Sequence, residues 1–143
     1  MRMRMQRGSS KIAAIISLLV TIGLFIVAAW VVLNRQYVVD QVTVWQYKPS
    51  AQIAELANTA KFSDTGKFYF YASTPQLDGT TAFNSACKRQ EENSAILGCY
   101  SGGKIYVYDV TDTRLSGVKE VTAAHETLHA AYQRLSNAEK NRV

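Results

Sequence analysis

One apolar segment, residues 12–33, constrains this chain more than any other feature. It contains no charged residue, and only Ser17, Thr21 and Gly23 interrupt its apolar side chains. At about 1.5 Å of rise per residue, a helix of this length crosses the roughly 30 Å hydrocarbon core of a bilayer. The segment therefore predicts a transmembrane helix, with membrane lipid as the partner of residues 12–33.

Basic residues precede this segment and set its predicted orientation. Residues 1–11 form a basic tail without an acid, and only Arg35 follows the segment closely. The positive-inside rule then places the N-terminus in the cytoplasm and the chain after residue 34 outside it. The tail also supplies most of the net charge of +5. Nucleic acid is not a predicted partner, since that would need a basic face on the folded domain.

A cleaved signal peptide is the main alternative to a membrane anchor. Val27-Ala28-Ala29 has the small residues of a cleavage site. However, the apolar region of a signal peptide usually spans about 7–15 residues, and this one continues through Trp30 to Leu33. A buried core helix would show a polar stripe, which is absent. The sequence favours an uncleaved signal anchor.

The chain has two cysteines, Cys87 and Cys99. An even count outside the cytoplasm predicts a disulfide. The bridge would close a polar loop containing Lys88, Arg89, Glu91 and Glu92. Two unpaired thiols are the alternative.

A β-hairpin and a long helix are the clearest elements beyond the membrane segment. Residues 95–100 and 104–110 are β-prone and flank Gly102-Gly103, and glycines suit the positive φ of a hairpin turn. Residues 118–135 show helical spacing, carried by Val118, Val121, Leu128, Tyr132 and Leu135. Ser136 to Glu139 resembles a capping box that begins another helix.

The pattern between the membrane segment and the hairpin is weaker. Residues 35–48 fit either a short strand or a helical stalk. Ser50 is a candidate N-cap for a helix that ends in turn residues at 64–66. Residues 67–72 predict an aromatic strand, and residues 73–95 predict a loop-rich stretch. Together these elements predict an α+β fold.

The long predicted helix contains the sequence His125-Glu126-Thr127-Leu128-His129, which includes both histidines of the chain. Residues i and i+4 lie on one helix face, so both imidazoles can bind one Zn²⁺ at about 2.0–2.1 Å. Glu126 is placed to act as general base on a zinc-activated water. This is the H-E-x-x-H arrangement of metalloproteases.

The uncharged surroundings of the motif, with Thr122 three residues before His125, resemble the active helix of zincin metallopeptidases. The order of elements also resembles small membrane-anchored bacterial zincins. The resemblance implies an active-site helix packed on a short sheet, with residues 105–110 as the edge strand or its neighbour. The patterns described above predict a cytoplasmic basic tail at 1–11, a membrane helix at 12–33, and a stalk and short helix at 34–60. The resemblance implies a zincin-like domain at 61–143.

Catalytic zinc sites have three protein ligands, and the motif supplies two. Leu135 and Tyr132 stand where the metzincin subgroup needs histidine and glycine, which excludes that subgroup. In the gluzincin subgroup a glutamate follows, and Glu139 is the candidate, with N3 helix capping as its alternative role. Little chain remains for that arrangement, so the sequence predicts a C-terminally truncated domain. The earlier acids Asp109, Asp112 and Glu120 are expected to face solvent or cap loops.

The predicted function is hydrolysis of peptide bonds in peptide or protein substrates outside the cytoplasm, by a membrane-anchored zinc enzyme. Tyr132 is expected to pack behind the site. An inactive zincin-like binding or envelope-structural module is the first alternative. A structural zinc site shared with a partner chain is the second. An intramembrane protease is not predicted, because Lys119, Glu120, Gln133 and Arg134 flank the motif.

Overall fold

The structure is a computed structural model that describes residues 8–88 and 96–143. Two compact units, residues 1–38 and 39–143, divide the chain. In the first unit, α1 (Gly8–Leu33) includes the stretch Lys11–Leu33, which is long and apolar enough to cross a membrane. The described chain has one such helix. The sequence prediction of a membrane-length apolar helix is confirmed.

The second unit is α+β, as predicted. Residues 35–48 were predicted to form either a strand or a helical stalk, and the structure shows a helix, α2 (Arg35–Gln46). The further elements are α3 (Ala51–Thr59), α4 (Asp64–Ala72), β1 (Gln76–Asp78), α5 (Thr80–Ala86), β2 (Gly98–Ser101), β3 (Lys104–Tyr108), a 3-10 helix (Thr113–Leu115), α6 (Val118–Arg134) and α7 (Asn137–Lys140).

The three described strands form one sheet with the order β1-β3-β2. Strand β3 pairs in parallel with β1 and antiparallel with β2. The predicted hairpin is confirmed: Ser101 pairs with Lys104, and Gly102 and Gly103 turn between them with φ of 57° and 80°. Strand β3 therefore lies at the centre of the sheet, and β2 forms an edge.

Helix α3 begins as its capping sequence predicts. The Ser50 hydroxyl accepts a hydrogen bond from the backbone N–H of Ile53 at 3.3 Å, which satisfies one free donor of the first turn. The buried side chains of α3 pack in a core together with side chains from α4, the central strand β3 and α6. The members of this core are Ile53, Leu56, Ala57, Phe70, Ile105, Val107, Ala123 and Ala130.

The predicted strand at residues 67–72 is wrong, because these residues belong to α4. The Ser63 hydroxyl accepts from the N–H of Gly66 at 3.1 Å, so the residues taken for a terminating turn begin a helix. Phe70 is fully buried, while its aromatic neighbours are only partly covered. Capping and tertiary packing outweigh the β propensity of the aromatic run.

The predicted loop at residues 73–95 is also partly wrong, since it contains β1 and α5. Strand β1 has only three residues, and its parallel partner β3 lies far along the chain. Such a strand leaves little local signal. The portion of the loop at residues 89–95, with Arg89, Glu91 and Glu92, lies outside the described residues.

The predicted disulfide is confirmed. Cys87 and Cys99 are bonded, with 5.8 Å between their Cα atoms, a separation typical of disulfides. Cys87 directly follows α5, and Cys99 belongs to β2. The bridge therefore joins a helix end to the edge strand of the sheet.

A buried ion pair fastens α2 to the end of α6. The Arg134 guanidinium donates to Asp40 through Nε at 2.7 Å and through Nη2 at 2.9 Å. Nη1 of Arg134 donates to the carbonyl of Ala130 at 2.9 Å and contacts the hydroxyl of Tyr100 at 3.4 Å. The Arg134 and Asp40 side chains are 9% and 5% exposed. Both charges are thus held away from water by specific partners.

Candidate metal centre

The long helix predicted to carry the motif is confirmed as α6. Gly117 precedes it with φ of 87°, a left-handed conformation that favours glycine. Ala123, Thr127 and Ala130 form its buried face. The Thr127 hydroxyl donates to the carbonyl of Ala123 at 2.7 Å, so this buried polar group is satisfied. The small side chains let α6 approach the sheet closely.

The two histidines lie next to each other on the exposed side of α6. Nε2 of His125 and Nε2 of His129 are 3.1 Å apart, and the rings are nearly perpendicular at 82°. Two nitrogen ligands at about 2.0–2.1 Å from a tetrahedral zinc lie about 3.3 Å from each other. The spacing of the imidazole nitrogens therefore fits a shared metal ion with little movement.

Glu126 lies on the side of α6 that faces the edge strand. It is 6% exposed, and the backbone N–H of Tyr100 in β2 donates to its carboxylate. Burial raises the pKa of Glu126, and this rise is only partly offset by His125, His129 and the Tyr100 N–H. The carboxylate is thus oriented by the sheet and is more basic than an exposed glutamate.

Gly98 makes this close approach of sheet and helix sterically feasible. A Cβ atom at this position would lie 3.0 Å from both Cγ and Oε1 of Glu126, and it would overlap the methyl group of Thr122. Only glycine leaves space here for the Glu126 side chain. Gly98 has no recognisable signal in the sequence, because the contact joins residues far apart in the chain.

Replacing Gly98 with alanine is expected to lower the free energy of unfolding by about 1–3 kcal/mol, since an added methyl group overpacks this contact. Gly79→Ala is the matched control, because no atom lies within 4 Å of a Cβ there. Urea unfolding of the full chain in detergent measures both variants. Equal effects of the two substitutions would contradict the close packing of β2 against Glu126.

An open groove of about 370 Å³ leads to the motif from the side of the edge strand. The residues leading into β2 that line it are Ile96, Leu97 and Gly98. The α6 residues that line it are Val121, Thr122, His125 and Glu126. Apart from His125 and Glu126, the lining residues are apolar or neutral. Both an imidazole and the Glu126 carboxylate thus border this open space.

The apolar residues whose spacing predicted α6 do not form its buried face. Val121 and Leu128 are 71% and 69% exposed. Tyr132 is 48% exposed, and the Lys140 ammonium lies 5.5 Å from its ring centroid. Helical periodicity identified the helix, whereas the small residues Ala123 and Ala130 identify the packed side.

Three other carboxylates named from the sequence, Asp109, Asp112 and Glu139, lie in capping and pairing contacts. Asp112 caps the 3-10 helix by accepting from the N–H of Arg114 at 3.0 Å, and Asp109 pairs with Lys119 at 2.9 Å. Glu139 accepts from the hydroxyl and the N–H of Ser136 at 2.6 and 2.8 Å. These bonds lower the pKa of Glu139.

The predicted capping box is therefore present at α7, and Glu139 occupies its N3 position. Within residues 8–88 and 96–143, no group of three or more His, Cys, Asp or Glu side chains is placed to hold a metal ion. The structure thus brings together His125, His129 and Glu126, and it does not add Glu139 to them.

A scan against known protein families, a search of curated proteins and a search of solved structures find no match to this chain.

Proposed function

We propose that this chain is a membrane-anchored zinc metallopeptidase with a zincin-like domain outside the cytoplasm. The observation that carries the proposal is the 3.1 Å separation of the His125 and His129 Nε2 atoms. This pair adjoins a buried glutamate and an open groove. Two imidazoles, a base and access for an extended chain are the parts that metal-assisted peptide hydrolysis needs.

Each residue of the motif has a distinct role in this proposal. His125 and His129 would hold Zn²⁺, and the ion would supply Lewis-acid polarisation and a more acidic water. The Glu126 carboxylate takes a proton from the attacking water and delivers it to the nitrogen of the leaving amine. The N–H of Tyr100 holds that carboxylate in place. A catalytic zinc site uses three protein ligands, and the described residues supply His125 and His129 at the motif.

The location outside the cytoplasm has separate support. The stretch Lys11–Leu33 is of membrane-spanning length, and the basic residues of the chain's start precede it. The bond between Cys87 and Cys99 is typical of an oxidising compartment. Both observations support the proposal that the domain after residue 34 lies outside the cytoplasm.

Metal removal tests the peptidase proposal. The full chain in detergent is expected to cleave members of a pool of short synthetic peptides, as followed by mass spectrometry. Treatment with 1,10-phenanthroline should abolish cleavage, and added Zn²⁺ should restore it, because the chelator removes the ion that activates water. Cleavage that persists after chelation would contradict the proposal. So would a zinc-loaded protein that cleaves no peptide, which would favour an inactive zincin-like module.

A further inference from the structure

Helix α2 has two unlike sides within the second compact unit. On its inward side, Asp40 is 3% exposed and bonded to Arg134. Directly after the helix, the Tyr47 hydroxyl donates to the carbonyl of Pro75 at 2.6 Å. Burial, and to a lesser extent the charge interaction with Tyr71, raises the pKa of Tyr47 to about 12. This side of α2 is therefore fastened to the folded unit, and the helix is part of its surface.

The opposite side of α2 is apolar and exposed. Val39, Val42 and Trp45 follow one another at intervals of three residues, within about 120° of arc around the helix. They are 57%, 45% and 84% exposed. Among the described aromatic side chains, Trp45 is the most exposed. Removing this exposed indole and the two valines from water would lower the free energy of the system.

The charges around this apolar side suit a phospholipid surface. Arg35 and Lys48 at the two ends of the segment are exposed. Asp40 is the sole acid in residues 35–54, and it is buried in its ion pair. Within residues 39–54, the exposed charge is the cation Lys48, which suits the phosphates of lipid headgroups. Indole rings are also enriched at the membrane–water boundary.

This side of α2 follows the apolar, membrane-length stretch closely in the chain. Helix α2 begins at Arg35, directly after the apolar stretch that ends at Leu33. Trp45 lies twelve positions after Leu33, a path of about 18 Å at the rise of a helix. A small apolar patch binds a bilayer weakly from solution, but a tether raises its effective concentration at the surface.

We propose that Val39, Val42 and Trp45 dock in the headgroup–acyl boundary of the bilayer that residues 11–33 span. This contact holds the folded unit against the membrane surface in the manner of an interfacial amphipathic helix. The contact is independent of zinc binding and of peptide hydrolysis. It assigns a lipid ligand to a part of the chain outside the spanning helix.

Tryptophan fluorescence of the full chain tests this docking. The chain has two tryptophans, so Trp30→Phe leaves Trp45 as the sole indole. The variant is reconstituted at a low protein-to-lipid ratio into vesicles of phosphatidylcholine and phosphatidylglycerol. We expect a blue-shifted emission, weak quenching by acrylamide and strong quenching by lipids brominated close to the headgroup. Emission typical of water, with strong acrylamide quenching and none by brominated lipid, would overturn the proposal.

Serine substitutions show whether the whole apolar side takes part. In the Trp30→Phe chain, Val39→Ser with Val42→Ser is expected to lose most of the quenching by brominated lipid. Val121→Ser is the matched control, because it replaces an exposed valine on α6, and it should leave the quenching unchanged. Unchanged quenching in the double variant would overturn the docking of this side. Shielding of Trp45 that vanishes as the protein is diluted in lipid would assign the surface to a second copy and would also overturn it.

Discussion

Replacing Glu126 with glutamine is expected to reduce peptide hydrolysis by about 10²–10⁴-fold, the usual contribution of a positioned general base. The amide has nearly the same shape as the carboxylate but cannot take the proton from water. Because Glu126 is not one of the proposed zinc ligands, the variant should keep its metal. Initial rates of peptide cleavage and zinc content, measured on the same preparation, check both statements.

Glu120→Gln provides the control for this substitution. Glu120 lies in the first turn of the same helix and is half-buried, but it is not among the groups at the motif. Its variant should cleave peptides at the rate of the parent chain. If Glu126→Gln cleaved peptides as fast as the parent, Glu126 would not be the base, and the peptidase mechanism proposed for this motif would be wrong.

Replacing Asp40 with alanine is expected to lower the free energy of unfolding by about 3–5 kcal/mol, because the Arg134 charge would be left buried without its partner. The two side chains are almost inaccessible to water, and the guanidinium binds both carboxylate oxygens. Urea unfolding of the full chain in detergent, followed by circular dichroism, measures the loss.

Asp112→Ala is the matched control, since Asp112 pairs with Arg114 at the surface of the same unit. Water and salt screen exposed ion pairs strongly, so this variant should lose only the smaller contribution of its helix cap. Similar stability of the two variants would mean that the buried pair does not fasten α2 to α6.

The elements with a strong local signal could be predicted from the sequence. Gly102-Gly103 marked the hairpin turn, Ser50 marked the start of α3, and the periodicity of residues 118–135 marked α6. The membrane-length helix and the disulfide followed from hydropathy and from the cysteine count. In each case the determining interaction lies within a few residues of sequence, or the residue type has few alternatives.

The elements that depend on distant partners could not be predicted. The aromatic residues 67–72 form a helix rather than a strand because Phe70 enters a core built by later segments. Strand β1 exists only through its pairing with β3. Gly98 and the bond between Asp40 and Arg134 likewise join residues far apart in the chain. No local pattern encodes such contacts.

The candidate site was predictable only in part for the same reason. The motif itself identified His125, Glu126 and His129 through their spacing on one helix. The orientation of Glu126 by the N–H of Tyr100, and the space that Gly98 leaves for it, depend on how β2 packs against α6. The third ligand stays a prediction, and Glu139 is engaged by Ser136.

Zinc content of the purified full chain, measured by atomic absorption, tests the central claim most directly. We predict one zinc per chain, lost in His129→Ala and kept in Leu128→Ala, which replaces an exposed neighbour on the same helix. Loss in the histidine variant alone would establish that the motif binds the metal. Absence of zinc from the parent chain in zinc-supplemented buffer, or equal zinc in all three proteins, would contradict the account.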